Sequence, residues 1–300
     1  IFLMIRRPPR STHDRTRRQR QMCIRDSSKA ASSSLYNIAH RGARSLAPEN
    51  TMAAIEKAWR VGAHGVEVDV SVTVDGQLIL FHDDLLTRTT DVYHRYPERT
   101  DQPVTTFTLK ELLRLDAGSW FIDSDPLGEI SDDNVPPSEL SAMRGIQIPV
   151  LDDVLTYVKS KDWYINLELK KLPPPQADFP VVEKVLQLLE QMQFPPENLA
   201  ISSFVFEHLR QIQRFRPDIE VNALIGIPGS GVQDWGDFEF HIYNANSAYT
   251  DEEQIHEALS RGCRVNLFTV NDPKEMIRFR QAGVDKLITD YPQILRELNL

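Results

Sequence analysis

The chain has 300 residues, a length that suits one large domain or two small ones. Its composition, 41% hydrophobic and 26% charged, is that of an ordinary globular protein, and no apolar run approaches the ~20 residues of a membrane-spanning helix. Two cysteines exclude a disulfide scaffold and a four-cysteine zinc site. A net charge of -9 argues against a general nucleic-acid binder.

The first 34 residues differ in composition from the rest. Residues 1–29 hold nine basic and two acidic residues, so the remainder carries a charge of -16. Residues 1–27 lack apolar periodicity and the apolar stretch of a signal peptide, so we expect residues 1–34 to be disordered. Residues 1–27 resemble translated sequencing-adapter sequence. A transit peptide or a basic nucleic-acid arm fits them loosely. With only Cys263 outside it, we expect a cytoplasmic protein by default, and a lost export signal stays an alternative.

From Leu35 onward, short β-branched segments alternate with amphipathic segments. Helical spacing of apolar residues predicts helices over 50–61, 181–192, 206–215, 252–261 and 273–282. Nine strands are predicted: 37–41, 66–72, 78–82, 163–170, 200–203, 221–225, 241–244, 265–270 and 286–289. This alternation predicts a (β/α)8 TIM barrel, with either 221–225 or 241–244 as the surplus strand.

Residues 91–149 interrupt the alternation. They are rich in Asp, Ser and Pro and contain one plausible helix over 109–115. We interpret them as an insertion after the third strand, within a domain that spans residues 35–300. A connection this long in a compact domain is usually functional or disordered.

Charged and imidazole side chains gather at the carboxyl ends of predicted strands, where a barrel places its active site. Glu67 and Asp69 share one face of the second strand, because residues two apart in a strand point to the same side. The other candidates are His40, Arg41, His82, Glu168, Lys170 and Asp290. We expect His40 and His82 to end adjacent strands. Carboxylates inside an apolar strand need cations, since an unpaired buried charge is costly.

Each candidate also has a simpler interpretation. His82 alone fits a surface or packing histidine, and Glu67 and Asp69 alone fit a half-exposed strand. Lys170 could simply pair with Glu168. The remaining histidines have no predicted role: His64, His94, His208, His241 and His256. The convergence of several charged strand ends on one face favours the functional interpretation.

Longer motifs resemble one family. The run IAHRGARSLAPENT at 38–51 resembles the opening motif of the glycerophosphodiester phosphodiesterase family. GVEVDVSVTVDGQLILFHDDLLTRTT at 65–90 resembles its Glu-x-Asp and His-Asp strands, and INLELK at 165–170 its Glu-x-Lys strand. ISSF at 201–204, FTVN at 268–271 and GVDKLITDYP at 283–292 are similar to its later strands. Several ordered motifs at matching distances make this a specific resemblance.

The resemblance implies a role for each matching residue. Glu67, Asp69 and Glu168 would bind one divalent cation, Ca²⁺ or Mg²⁺, and His40 and His82 would form an acid/base pair. Arg41 and Lys170 would bind phosphate, and the insertion would shape the substrate pocket. Phe268 stands where many relatives have Trp, so stacking on the glycerol end should survive. Lys286 stands where relatives often have Gly, and we expect little effect on the chemistry.

The residue chemistry agrees with a phosphodiesterase. All-carboxylate ligands suit a hard cation and not zinc. A metal, Arg41 and Lys170 can stabilise the charge that develops on phosphorus oxygens, and two histidines can serve both proton transfers. The sequence leaves open whether water or the 2-hydroxyl of glycerol attacks. It also leaves the oligomeric state open.

Three functions are compatible with these motifs. The first is metal-dependent hydrolysis of small-molecule glycerophosphodiesters to an alcohol and sn-glycerol 3-phosphate. The second is a lysophospholipase D activity on lipid-tailed substrates, which an apolar rim beside the pocket would favour. The third is a catalytically silent barrel acting as a binding protein; retention of every motif residue argues against it. Neither a nucleic-acid partner nor an integral membrane segment is expected.

Overall fold

The computed structural model describes residues 35–300 except Pro228 and Val232. The predicted disorder of residues 1–34 and the foreign origin of 1–27 fall outside this range. Among the described residues, no helix is both long enough and apolar enough to cross a bilayer.

Eight parallel strands close into a barrel, which confirms the predicted fold class. The nine strands of the described residues are β1 Tyr36–His40, β2 Gly65–Val72, β3 Leu78–Leu80, β4 Tyr164–Leu169, β5 Leu199–Ser203, β6 Glu220–Ile225, β7 Ile242–Asn246, β8 Arg264–Phe268 and β9 Lys286–Thr289. Strand β1 pairs with both β2 and β9, and the remaining neighbours in the barrel are β2–β4, β4–β5 and so on to β8–β9.

The surplus strand is β3, and the prediction that it would be 221–225 or 241–244 is wrong. Both of those segments are barrel strands, β6 and β7. Strand β3 lies antiparallel to β2, with Val70 opposite Leu80. The cause is the short turn at Asp75-Gly76, where Gly76 has φ +76°. So short a connection can make only a hairpin, because parallel strands need a long crossover.

Eleven α-helices occur in the described part of the chain, and most predicted helices agree with them to within two residues. Thr51 caps the first by accepting from the Ala54 amide, and Asp272 caps the tenth. They are α1 Met52–Arg60, α2 Val92–Arg95, α3 Leu109–Leu112, α4 Ser119–Ser124, α5 Pro137–Met143, α6 Leu151–Ser160, α7 Val181–Gln191, α8 Phe206–Phe215, α9 Glu252–Ser260, α10 Pro273–Gln281 and α11 Pro292–Glu297.

The insertion is ordered, and part of it packs with β3 in a small second core. Helices α2 to α5 and two 3₁₀ turns, Pro97–Arg99 and Val104–Thr106, lie within the insertion. Phe81, Leu86, Val104 and Phe107 belong to a buried cluster separate from the main core between barrel and helices. Helix α3 begins in a capping box of Thr108 and Glu111 and is three residues shorter than predicted.

The barrel interior is unusually polar below its mouth. TIM barrels normally fill this space with bulky branched side chains. Here four buried asparagines, Asn166, Asn222, Asn244 and Asn266, line a small cavity inside the barrel. At the opposite end from the site, Lys286 donates to Glu220 Oε1 at 2.5 Å, within a small ion-pair cluster. A polar interior therefore lies beneath the carboxyl ends of the barrel strands.

Candidate active site

Strand ends bring most of the predicted residues to one mouth of the barrel. His40 ends β1, Glu67 and Asp69 lie in β2, and Glu168 lies near the end of β4. His82 was expected to end a strand adjacent to that of His40. Instead β3 ends at Leu80 and β2 lies between β1 and β3. The hairpin nevertheless returns His82 to the mouth, because the Phe81 amide donates to the Asp69 carbonyl at 3.0 Å.

Three carboxylates form a compact cluster. Glu67, Asp69 and Glu168 each offer an oxygen within 4.8 Å of the others. Burial raises the pKa of Glu67 and Glu168, and the charge of Asp69 raises both further. Burial acts the same way on Asp69, but Lys170 and Arg41 hold its pKa well below the usual range. Such mutual repulsion among buried carboxylates is what a cation relieves.

The donor set of this cluster fits a hard divalent ion. All three side chains offer oxygen, the ligand atom of Ca²⁺ and Mg²⁺. Oε1 of Glu67 is buried and has no hydrogen-bond partner among the described residues. Asp69 is fixed in place by Asn50, whose amide donates to Oδ2 at 2.7 Å and accepts from the Asp69 backbone at 3.1 Å. An orphaned buried oxygen beside two further carboxylates is therefore consistent with a cation site.

Both histidines are held by a carboxylate. Nδ1 of His40 lies 2.6 Å from Oδ1 of Asp290, and Nδ1 of His82 lies 2.6 Å from Oδ1 of Asp83. This pairing assigns the proton to Nδ1 and leaves Nε2 free on each ring. Burial, followed by the charge of Arg41, lowers the pKa of His40, although Asp290 opposes both. At neutral pH, His40 is therefore suited to accept a proton.

Arg41 and Lys170 approach the carboxylate cluster from two sides. The Arg41 amide donates to Glu67 Oε2 at 3.0 Å, and its Nε lies 3.3 Å from Asp69 Oδ2. Nζ of Lys170 lies 3.3 Å from Asp69 Oδ1 and 3.4 Å from Glu168 Oε1. Burial alone would lower the pKa of Lys170, but these two carboxylates raise it. Both cations are thus charged and fixed where an anionic ligand would enter.

A cavity of about 410 Å³ joins these groups. This volume is in the range of small-molecule sites. His40, Arg41, His82, Glu168 and Lys170 line its charged side. The rest of its lining is mostly apolar and comprises Leu169, Phe204, Val205, Ile227 and Phe268, together with Lys171 and Thr269. The rings of Phe204 and Phe268 meet edge to face, with centroids 6.1 Å apart.

Several residues of the site had no predicted role. Asp83 and Asp290 hold the histidines, and Asn271 donates to Asp290 Oδ2 at 2.8 Å. Glu49 pairs with Arg41 and, through both carboxylate oxygens, with Arg88. The signal was available for some of them, since Asp83 directly follows His82 and Glu49 lies within the first motif. The partners of Glu49 depend on tertiary structure.

Comparison with known proteins identifies the family. A model of the glycerophosphoryl diester phosphodiesterase family matches residues 40–294. The chain is 33% identical over 272 residues to a glycerophosphodiester phosphodiesterase of Caldanaerobacter subterraneus subsp. tengcongensis, covering 87% of this chain and 96% of that relative. A Bacillus subtilis glycerophosphodiester phosphodiesterase is 27% identical over 273 residues, covering 88% of this chain and 86% of the relative.

The fold agrees with a solved relative. A phosphodiesterase of Oleispira antarctica, in complex with the product sn-glycerol 3-phosphate, superposes with a TM-score of 0.71 at 27% identity. The match covers 88% of this chain and 96% of that one. The chain therefore belongs to the glycerophosphoryl diester phosphodiesterase family and is an enzyme of that class.

Proposed function

We propose that this enzyme hydrolyses glycerophosphodiesters to an alcohol and sn-glycerol 3-phosphate with one divalent cation and two histidines. Glu67, Asp69 and Glu168 would bind the cation, Ca²⁺ or Mg²⁺. The observation that carries the proposal is the buried, unpartnered Oε1 of Glu67 within that cluster, beside a cavity that both histidines line. A bound divalent cation supplies electrostatic stabilisation of the charge that develops on the phosphorus oxygens.

The cations of the protein bind the phosphodiester. Arg41 offers a planar guanidinium to the phosphate oxygens, and Lys170, the residue that follows β4, offers a point charge. Both line the cavity and are already fixed by carboxylates. Groups held in place before the substrate arrives need little reorganisation during the reaction.

The histidines transfer the protons. Nε2 of one ring would remove the proton from the attacking hydroxyl. Attack by water gives sn-glycerol 3-phosphate directly, whereas attack by the glycerol 2-hydroxyl gives a cyclic phosphate that water must open in a second step. The other would donate a proton to the oxygen of the departing alcohol as its bond to phosphorus breaks. The Nδ1 pairs with Asp290 and Asp83 stabilise each imidazolium while it exists. His40 is the better candidate for the base, because its burial and Arg41 lower its pKa.

The apolar wall would bind the uncharged part of the substrate. Phe268 packs against Phe204 at the cavity edge, where it can stack on the glycerol end. The same wall favours a second activity, lysophospholipase D hydrolysis of lipid-tailed substrates. Ile227 in particular is 62% exposed and lines the cavity, so an acyl chain could cover it.

A substrate and metal panel tests the main proposal. Purified protein starting at Ser34 is assayed on glycerophosphocholine and glycerophosphoethanolamine with Ca²⁺, Mg²⁺ or chelator. We expect turnover that chelator abolishes and either ion restores, and a sharply raised metal requirement for Glu67→Gln. Undiminished turnover in chelator would contradict the metal site.

A paired substrate test separates the second activity. Ile227→Ser should weaken turnover of a lysophosphatidylcholine while leaving glycerophosphocholine unchanged. An equal effect on both substrates, or no turnover of the lipid, would remove the lipid-tailed candidate. Ile277→Ser on α10 serves as a control, because Ile277 is exposed and does not line the cavity.

A further inference from the structure

Glu49 is a carboxylate shared by three arginines. Its Oε1 accepts from Arg41 Nη1 at 2.8 Å and from Arg88 Nη2 at 2.7 Å. Its Oε2 accepts from Arg88 Nη1 at 3.0 Å and lies 3.2 Å from Arg44 Nη2. Only 3% of the side chain is exposed. A single buried carboxylate therefore balances part of the charge of three guanidinium groups.

One branch of this network leads to His82. Arg88 donates from Nε to Asp83 Oδ2 at 2.6 Å and from Nη2 to Asp83 Oδ1 at 3.0 Å. Asp83 in turn holds His82 at Nδ1. Arg88 thus bridges two carboxylates, one of which supports the imidazole.

A second branch leads to His40. Arg44 reaches from Glu49 to Asp290, with Nη1 3.5 Å from Oδ1. Asp290 holds His40 at Nδ1 through that same oxygen. The two histidines are consequently joined by one series of ion pairs that passes through Glu49.

The backbone that follows Glu49 is fixed. Asn50, the next residue, has φ +53°, and its amide donates to the Arg41 carbonyl at 2.9 Å. Its side chain is bound to Asp69, and Thr51 then caps α1. These contacts place the Glu49 carboxylate at one point between the two branches and leave it little freedom to move.

We propose that Glu49 is a positioning residue that holds both histidines in the orientation that presents Nε2 to the cavity. This inference rests on the proposed function, because it assigns Glu49 to the same proton transfers. Without the carboxylate, three guanidinium groups lose a shared partner. Arg88 and Arg44 then compete with the histidines for Asp83 and Asp290, since an arginine can bind a carboxylate with two parallel hydrogen bonds.

Imidazole nuclear magnetic resonance of the isotope-labelled full chain tests the proposal without substrate. Glu49→Gln should shift or broaden the ring-nitrogen signals of both His40 and His82. Arg88→Met should change those of His82 alone, and Arg44→Met those of His40 alone. Glu111→Gln is the matched control, because Glu111 pairs with Arg99 and has no described contact with the network. It should change neither histidine.

Unchanged histidine signals in Glu49→Gln would overturn the proposal. If Glu49→Gln does not fold, the two arginine variants test the proposal. An arginine variant that changes the ring-nitrogen signals of both histidines, or of neither, contradicts the two-branch network. In assays, Glu49→Gln should lower kcat about 10- to 100-fold, as for other supporting residues, and Glu49→Asp should recover part of it. If the wild-type chain hydrolyses no glycerophosphodiester, the proposed function fails while the spectra still decide the role of Glu49.

Discussion

Both ends of the barrel bury charged side chains, but the positive and negative charges are equal in number at only one end. At the amino ends of the strands, Lys286 and Arg264 pair with Glu220 and Asp285. Tyr164 completes that cluster, with its hydroxyl 2.8 Å from Lys286 Nζ and 3.0 Å from Glu220 Oε1. Two cations meet two carboxylates, so this end needs no further partner.

The mouth has an excess of carboxylates. Its ion pairs and carboxylate cluster involve four cations, Arg41, Arg44, Arg88 and Lys170. The six carboxylates there are Glu49, Glu67, Asp69, Asp83, Glu168 and Asp290. With both histidines neutral and all six carboxylates ionised, two negative charges remain, which is the charge that one divalent cation neutralises. Buried charges that balance one another therefore indicate a structural cluster, whereas a net buried charge indicates a site for a ligand of opposite charge.

The largest expected effect concerns the mouth. His40→Ala and His82→Ala should each lower turnover about 10²- to 10⁴-fold, the usual range for acid/base catalysis, while metal binding persists. A nitrophenyl phosphodiester has a leaving group that needs no protonation, so it should rescue His82→Ala and not His40→Ala. His256→Ala, at an exposed position of α9, is the control and should keep full activity. Rescue of both variants, or of neither, would contradict separate acid and base roles.

The second prediction concerns the balanced end. Glu220→Gln should destabilise the fold by about 3–5 kcal/mol, because it leaves the buried Lys286 without its carboxylate. Chemical unfolding measures the loss, and the activity of the remaining folded protein should be unchanged. Glu239→Gln, which breaks an exposed pair with Arg210, should cost less than about 1 kcal/mol. Equal costs for both variants would show that the buried cluster is not structural.

The third prediction is acid sensitivity at the mouth. Burial alone would raise the pKa of Glu49. Hydrogen bonds from Arg88 and the charges of Arg41 and Arg44 instead lower it to about 2, from an ordinary 4.5. A lowered carboxyl pKa stabilises the fold above pH 4.5, and that stability is lost as the pH falls toward 2. Its size is on the order of 3 kcal/mol. Urea unfolding across this window measures it, and Glu49→Gln should show a flatter profile than the wild type.

The sequence indicated which residues belong to the candidate site better than it indicated the contacts among them. Strand alternation and the ordered motifs placed Glu67, Asp69 and Glu168 at one end of a barrel, because residues two apart share a face and parallel strands end together. The pairing of Glu49 with Arg88 was not predictable in the same way. The two residues are 39 positions apart, and their contact depends on the left-handed backbone at Asn50.

The errors also have physical causes. Residues 78–82 have the composition of a barrel strand, and composition does not reveal strand direction. The Asp75-Gly76 turn carried that information, because it is too short for a crossover. Alternate polar residues in strands usually face solvent, so Asn166 and Asn222 gave no sign that they face the barrel interior, where both are buried.

The smallest expected effect is a gain in stability at the mouth. Glu67 has a raised pKa because burial and the charges of Asp69 and Glu168 disfavour its ionised form. A raised carboxyl pKa destabilises the fold at pH values above the ordinary 4.5, so ionised Glu67 costs stability at neutral pH when no cation is bound. Glu67→Gln removes that charge. In chelator it should therefore raise the stability by about 1 kcal/mol, or roughly 2–4 °C in melting temperature.

Added metal should reverse the order of stability of the wild type and Glu67→Gln. Ca²⁺ or Mg²⁺ held by the carboxylate cluster would stabilise only the folded state, so each should raise the melting temperature of the wild type as its concentration rises. Glu67→Gln lacks one carboxylate oxygen of the proposed site and should gain much less, which makes it the less stable protein at saturating metal. Glu220→Gln should keep the full metal response, because Glu220 lies at the other end of the barrel. If Glu67→Gln were destabilised in chelator and in metal alike, the excess charge at the mouth would not be a ligand site.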